Sequence, residues 1–96
     1  MLTVQTIKER VAPICKKYAI ERLYLFGSYA RNEATEDSDL DFLVFGGEHF
    51  KLTLVFALAE ELREALKKKV DVFEIHEVNQ DSDFYKTIMK EKVLVA

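Results

Sequence analysis

The sequence predicts an α/β domain in which helices pack on a small mixed sheet. Three observations carry this. Two long stretches repeat apolar residues at alternating spacings of three and four; three short runs are dense in aliphatic and aromatic residues; and the two kinds of segment alternate along the chain. No linker, repeat or low-complexity segment interrupts them, and three glycines and one proline leave nowhere obvious to divide the chain. Residues 1–96 are therefore expected to form a single domain.

The elements follow in order. Val4, Ile7, Val11, Ile14 and Tyr18 mark an amphipathic helix, in which Pro13 removes a backbone donor and predicts a kink or early break. "RLYLF" (22–26) reads as a strand ending at Gly27, and "SYARNE" is long enough only for one or two helical turns. "LDFLVF" (40–45) reads as a second strand closed by Gly46-Gly47. Leu52, Val55, Ala59, Leu62 and Leu66 mark a long helix, with Lys67, Lys68 and Lys69 expected in its last turn, where cations suit the dipole. "VDVFEI" (70–75) is a third strand. "NQDSDFYKTIMKEK" is a helix capped by Asp81 or Ser82, and "VLVA" ends the chain as a short strand or an apolar tail. The predicted order is thus α-β-α-β-α-β-α, the second helix being the short one.

Connection lengths predict strand directions. The helix between the second and third strands fits a right-handed crossover, so that pair should be parallel. The first link is too short for a crossover, so the first and second strands should be antiparallel. Gly27, Asp39, Asp41 and Asp71 then fall at one end of the sheet.

Composition excludes several function classes. Apolar residues at 49% and charged residues at 32% are those of a globular protein and not of a disordered one. A net charge of −3 argues against a broad surface for nucleic acid, and the only dense basic run is Lys67–Lys69. Cys15 stands alone, which excludes a disulfide framework. No apolar run is long enough to span a membrane, and Met1 opens no signal-peptide core. A cytoplasmic location is expected.

The chemistry centres on the carboxylates. Residues i and i+2 of a strand share a face with Cα atoms roughly 6–7 Å apart, so Asp39 and Asp41 can converge on one or two hard cations. Asp71, at the matching end of the neighbouring strand, would complete a triad. Solvated aspartates at strand ends are common, and Asp71 alone would be read that way. The three together beside a Gly-Ser turn read as a metal platform. Gly27 lets backbone N–H groups approach a ligand closely, and Ser28 adds a hydroxyl, which makes a phosphate cradle opposite that platform. Taken alone, that dipeptide is equally an ordinary helix cap.

Gly27-Ser28-x-Ala30-Arg31, then Ser38-Asp39-x-Asp41-x-x-Val44, with Asp71 on a later strand, resembles the DNA-polymerase-β-like nucleotidyltransferases. More closely, it is similar to their smallest members, the minimal nucleotidyltransferases (MNT) often encoded beside HEPN-domain proteins. The resemblance covers nearly the whole chain. Asn32 departs from the pattern where the family usually has glycine, but asparagine tolerates the left-handed backbone such a turn requires.

The resemblance implies a mechanism. Asp39 and Asp41 would bind two Mg²⁺ ions, with Mn²⁺ an alternative, and Asp71 would ligate the second ion and help activate the acceptor hydroxyl. Gly27 and Ser28 would hold the triphosphate of ATP. Arg31 would either stabilise phosphate charge or pin the short turn through an ion pair with an acidic neighbour. Ser38 would bond backbone or an aspartate, orienting the ligands. The implied acceptor is a protein hydroxyl on a HEPN toxin, adenylylated by this chain as antitoxin, with no direct nucleic-acid contact. Two alternatives stay open: an antitoxin that neutralises its partner by binding alone, and nucleotidyl transfer to a small molecule.

The remaining candidates read as structure. His49 and His76 have no ligand-like spacing and suit surface or edge positions. Cys15 lies beside an apolar stripe and suits the core. Tyr24, Phe26, Phe42 and Phe45 suit a sheet interior better than a base-stacking platform.

Overall fold

The computed structural model describes residues 2–96. Helix α1 (Val4–Lys17) leads into strand β1 (Arg22–Phe26), which is followed by β2 (Leu40–Phe45). Helix α2 (Val55–Leu66), entered through a single 3₁₀ turn, leads to β3 (Val70–Glu74); α3 (Asp83–Glu91) and β4 (Val93–Leu94) complete the chain. The strands lie in the order β3-β2-β1-β4. β1 runs antiparallel to both β2 and β4, and β2 runs parallel to β3, as the connection lengths require.

Alternation along the strands assigns a face to each side chain. Leu23, Leu25, Leu40, Phe42, Val44 and Val70 point to one side, where they meet Ile7, Val11 and Cys15 of α1 and Leu58, Leu62 and Leu66 of α2. On the other side Phe26 and Leu43 pack with Ile75, Val78 and Ile88, beneath α3. Tyr24, Phe45 and Phe73 border that second cluster. Asp41 and Asp71 fall on this same face by parity, one residue out of phase with Phe42 and Val72. The carboxylates are thus presented on the α3 side, away from the larger core.

Two local expectations change and two open ones narrow. First, α1 does not break at Pro13. It continues to Lys17, because Pro13 is on the exposed side, where water can satisfy the carbonyl left without its donor. Second, the three lysines lie outside α2. Lys67 adopts a left-handed backbone (φ 57°) and returns its N–H to Arg63 O at 2.8 Å, ending the helix so that the fully packed Val70 can join β3. Third, the short helix expected between β1 and β2 is one hydrogen-bonded turn, closed by Arg31 N–H on Gly27 O at 3.1 Å and Glu33 N–H on Ser28 O at 2.9 Å. Fourth, "VLVA" is resolved in favour of the strand: β4 pairs with β1, and Val95 is buried in the larger core.

The cap of α3 is Ser82, whose Oγ accepts from Tyr85 N–H at 3.1 Å. Ser82→Ala should therefore lower stability by about 1 kcal/mol. The check is a urea titration showing a lower midpoint at unchanged slope.

Candidate active site

The site forms where β1 ends and β2 and β3 begin. In the sheet register Phe26 faces Asp41, and Asp41 faces Asp71. Gly27 therefore lies just past the half-buried Asp41 on one side, with Asp71 on the other. Adjacent strands lie about 4.8 Å apart, so two carboxylates on one face at that separation repel unless a cation intervenes. Asp39 stands just before β2, exposed, and adds a third negative charge.

Asp41 is held away from its ordinary carboxylate behaviour by burial more than by its neighbours. Burial first, then the charges of Asp71 and Asp39, push its pKa up to about 6, against a smaller opposing pull from Arg31. Among the described residues, no three acidic, histidine or cysteine side chains converge on a single point. The donor set itself is all oxygen, with Asp41 and Asp71 paired in register, and it fits a hard divalent cation.

Gly27 is shaped by this neighbourhood. Its φ is +76°, and a Cβ at this position would run into the Asp41 carboxylate. Glycine is needed here on both counts. Its N–H, expected to face a ligand, instead donates to Glu91 Oε1 at 2.9 Å. The N–H groups of Ser28, Tyr29 and Ala30 have no acceptor among the described residues, and the Ser28 side chain is half-exposed. Asn32 takes the left-handed conformation (φ 59°) that the departure from glycine demanded.

Arg31 is engaged in ion pairs on both sides. Its Nε donates to Glu33 at 2.6 Å and its Nη1 to Glu91 at 3.0 Å. Ser38 serves the backbone, its Oγ accepting from Thr35 N–H at 2.8 Å, and it steadies the turn before Asp39 without reaching an aspartate. Lys67, Lys68 and Lys69 line an open groove with Glu36, Asp37, Ser38 and Asp39, and Lys68 Nζ donates to Glu36 O at 2.6 Å. The basic run therefore borders Asp39.

Glu91 and Glu33 are the residues that sequence reasoning missed. Glu91 had one available signal: it is a carboxylate in the last turn of α3, where the helix dipole disfavours negative charge, so a compensating cation had to be close. His49 and His76 are exposed, as expected of residues outside a metal site, and Cys15 is buried with its thiol pKa raised to about 11 by that burial.

Comparison with known proteins gives one consistent result. Residues 9–96 match the family described as Polymerase beta, Nucleotidyltransferase. A Methanocaldococcus jannaschii protein provisionally named a protein adenylyltransferase is 41% identical over 78 residues, which are 81% of this chain and 84% of that one. Thermococcus cleftensis protein adenylyltransferase MntA is 32% identical over 99 residues, spanning 99% of this chain and 98% of the relative. The fold is shared with a solved complex described as a tri-AMPylated Shewanella oneidensis HEPN toxin with MNT antitoxin, at a TM-score of 0.73 and 18% identity over 98% of this chain and 72% of that one. This chain is a member of the polymerase β nucleotidyltransferase family.

Proposed function

We propose that this protein is a metal-dependent protein adenylyltransferase, transferring AMP from ATP to a hydroxyl on a HEPN-domain toxin and so acting as its antitoxin. The observation that carries the reading is the in-register Asp41–Asp71 pair beside a turn whose amides lack acceptors. The names of the relatives supply the nucleotide, and the shared fold supplies the kind of partner.

In this reading Asp39, Asp41 and Asp71 hold the divalent ions, Mg²⁺ by preference, and residues 1–96 act as one catalytic domain. Ions held there would neutralise charge on the triphosphate and on the attacking oxygen. The acceptor oxygen forms a new bond to the α-phosphorus while the bond to the bridging oxygen of pyrophosphate breaks. Asp71, the most exposed of the strand carboxylates, takes the acceptor's proton. Ser28 and the amides after it hold phosphate oxygens. Catalysis is then mostly alignment and charge neutralisation, with little covalent chemistry left for the protein.

The test uses α-labelled ATP, Mg²⁺ and the product of the neighbouring gene, with wild type compared against Asp39→Ala/Asp41→Ala. Label on the partner with wild type only is the expected result. A stable complex formed by both proteins, with no label from any common ribonucleotide, would replace the enzyme with a binding-only antitoxin.

A further inference from the structure

The C-terminal helix reaches into the site through one side chain. Glu91, the last residue of α3, accepts Gly27 N–H with Oε1 at 2.9 Å. The same carboxylate accepts from Arg31 Nη1 at 3.1 and 3.0 Å. Its side chain is 15% exposed and that of Arg31 is 46% exposed, so the carboxylate is the inner partner and the guanidinium closes over it. Nothing in α3 favours a negative charge at this point: the helix dipole opposes it, and Asp41 lies close enough for the two charges to repel. Glu91 is held by what it binds at the turn after β1.

Two groups that a triphosphate would ordinarily attract are therefore already committed. Gly27 N–H has its acceptor, and Arg31 is shared between Glu91 and Glu33. The donors left for phosphate are the Ser28 hydroxyl and the amides of Ser28, Tyr29 and Ala30. Their direction follows from the Gly27 peptide, which is fixed by Glu91 on its N–H and by Asp41 against its Cα.

We propose that Glu91 is a positioning residue for nucleotide binding: it sets the turn so that the amides of residues 28–30 face the phosphates, and Arg31 acts as a strap through Glu91, making no contact with phosphate. The inference rests on the reading of this turn as the nucleotide cradle. Loss of one charge-assisted hydrogen-bonded anchor should weaken nucleotide binding about tenfold. Glutamine at 91 keeps an oxygen acceptor for Gly27 N–H and should recover most of that loss.

Calorimetric titration of a non-hydrolysable ATP analogue with Mg²⁺ tests this, using wild type, Ser28→Ala, Glu91→Ala, Glu91→Gln, Arg31→Ala and Arg31→Ala/Glu91→Ala, each first checked by thermal melting. The expected pattern is weak binding by Glu91→Ala, near recovery in Glu91→Gln, and a double variant no weaker than Glu91→Ala. Additive losses in the double variant would put Arg31 on the phosphates and overturn the strap. Unchanged or tighter binding by a folded Glu91→Ala would overturn the positioning role, provided Ser28→Ala still weakens binding. A wild type that binds no nucleotide, or a Ser28→Ala that binds as well as wild type, overturns the cradle itself. Should Glu91→Ala fail to fold, Glu91→Met and Arg31→Ala/Glu91→Met, which fill the space without an acceptor for Gly27 N–H, carry the same decision.

Discussion

Asp41→Asn should lose nearly all AMP transfer, yet in metal-free buffer at pH 8 it should melt at a higher temperature than wild type. Both halves follow from the same geometry. Asp41 is half-buried between Gly27 and Asp71, and its pKa is raised to about 6 by burial and by the neighbouring aspartates. A carboxyl with a raised folded-state pKa binds its proton more tightly in the folded chain than in the unfolded one. Stability from this group is therefore greatest in acid and is lost as pH rises from about 4 to about 6, the range between its ordinary and its shifted pKa. Above that range the folded protein carries the full repulsion. Asparagine keeps the shape and removes the charge. Discounted for partial exposure, the relief is on the order of 1 kcal/mol, which moves the melting temperature of a domain this size by about 4–8 °C. Melts with chelator across pH 4 to 8 check the sign: the two proteins should converge in acid and separate as pH rises. Millimolar Mg²⁺ should then stabilise wild type far more than the variant, because only wild type offers the full carboxylate set. The loss of transfer should reach at least roughly 10²–10³-fold, the scale set by removing one preorganised electrostatic group. A variant less stable than wild type at pH 8 would show that Asp41 is not under electrostatic strain in the free protein.

That strain is what made the site legible in the sequence. Asp39 and Asp41 lie two apart at the head of an apolar run, Asp71 stands one residue inside another, and period-two alternation carries both strand residues to the face opposite Phe42 and Val72. Strands β1 and β2 match their predicted limits because glycine punctuates the ends at Gly27 and Gly46. Features that depend on long-range contact were not legible. The ion-pair partner of Arg31 is Glu91, sixty residues away, which no local pattern announces. The end of α2 is set by where Val70 must enter the sheet, so Lys67 turns left-handed without a glycine to announce it. Pro13 looked like a break, but a proline on the wet side of a packed helix leaves the buried Val11 and Cys15 in place, and these hold α1 together. "VLVA" could be read either way until β1 offered an edge to pair with.

Gly27→Ala separates backbone strain from damage to the site, because the protein contains its own control. Gly27 at φ +76° and Gly47 at φ +80° both occupy the left-handed region, where an alanine costs about 1–2 kcal/mol. At Gly47 the added methyl meets only the Glu21 side chain, at 3.2–3.3 Å, beyond the far end of β2. At Gly27 it runs into the Asp41 carboxylate. Asp41 has little room to retreat, since its backbone is paired with Phe26 on one side and Asp71 on the other. Either the carboxylate turns away from Asp71 or the turn lifts away from Glu91, and overpacking of this kind adds about 1–3 kcal/mol. Both variants should therefore melt lower than wild type, with Gly27→Ala the lower. Only Gly27→Ala should lose turnover per folded molecule, by about a hundredfold, as expected when reacting groups shift by an ångström. Transfer rates measured well below both melting temperatures decide the matter. Equal rates in the two variants would mean that the Gly27 turn and Asp41 do not act on the same phosphates, and the site would have to be rebuilt around Asp71 and the lysine groove.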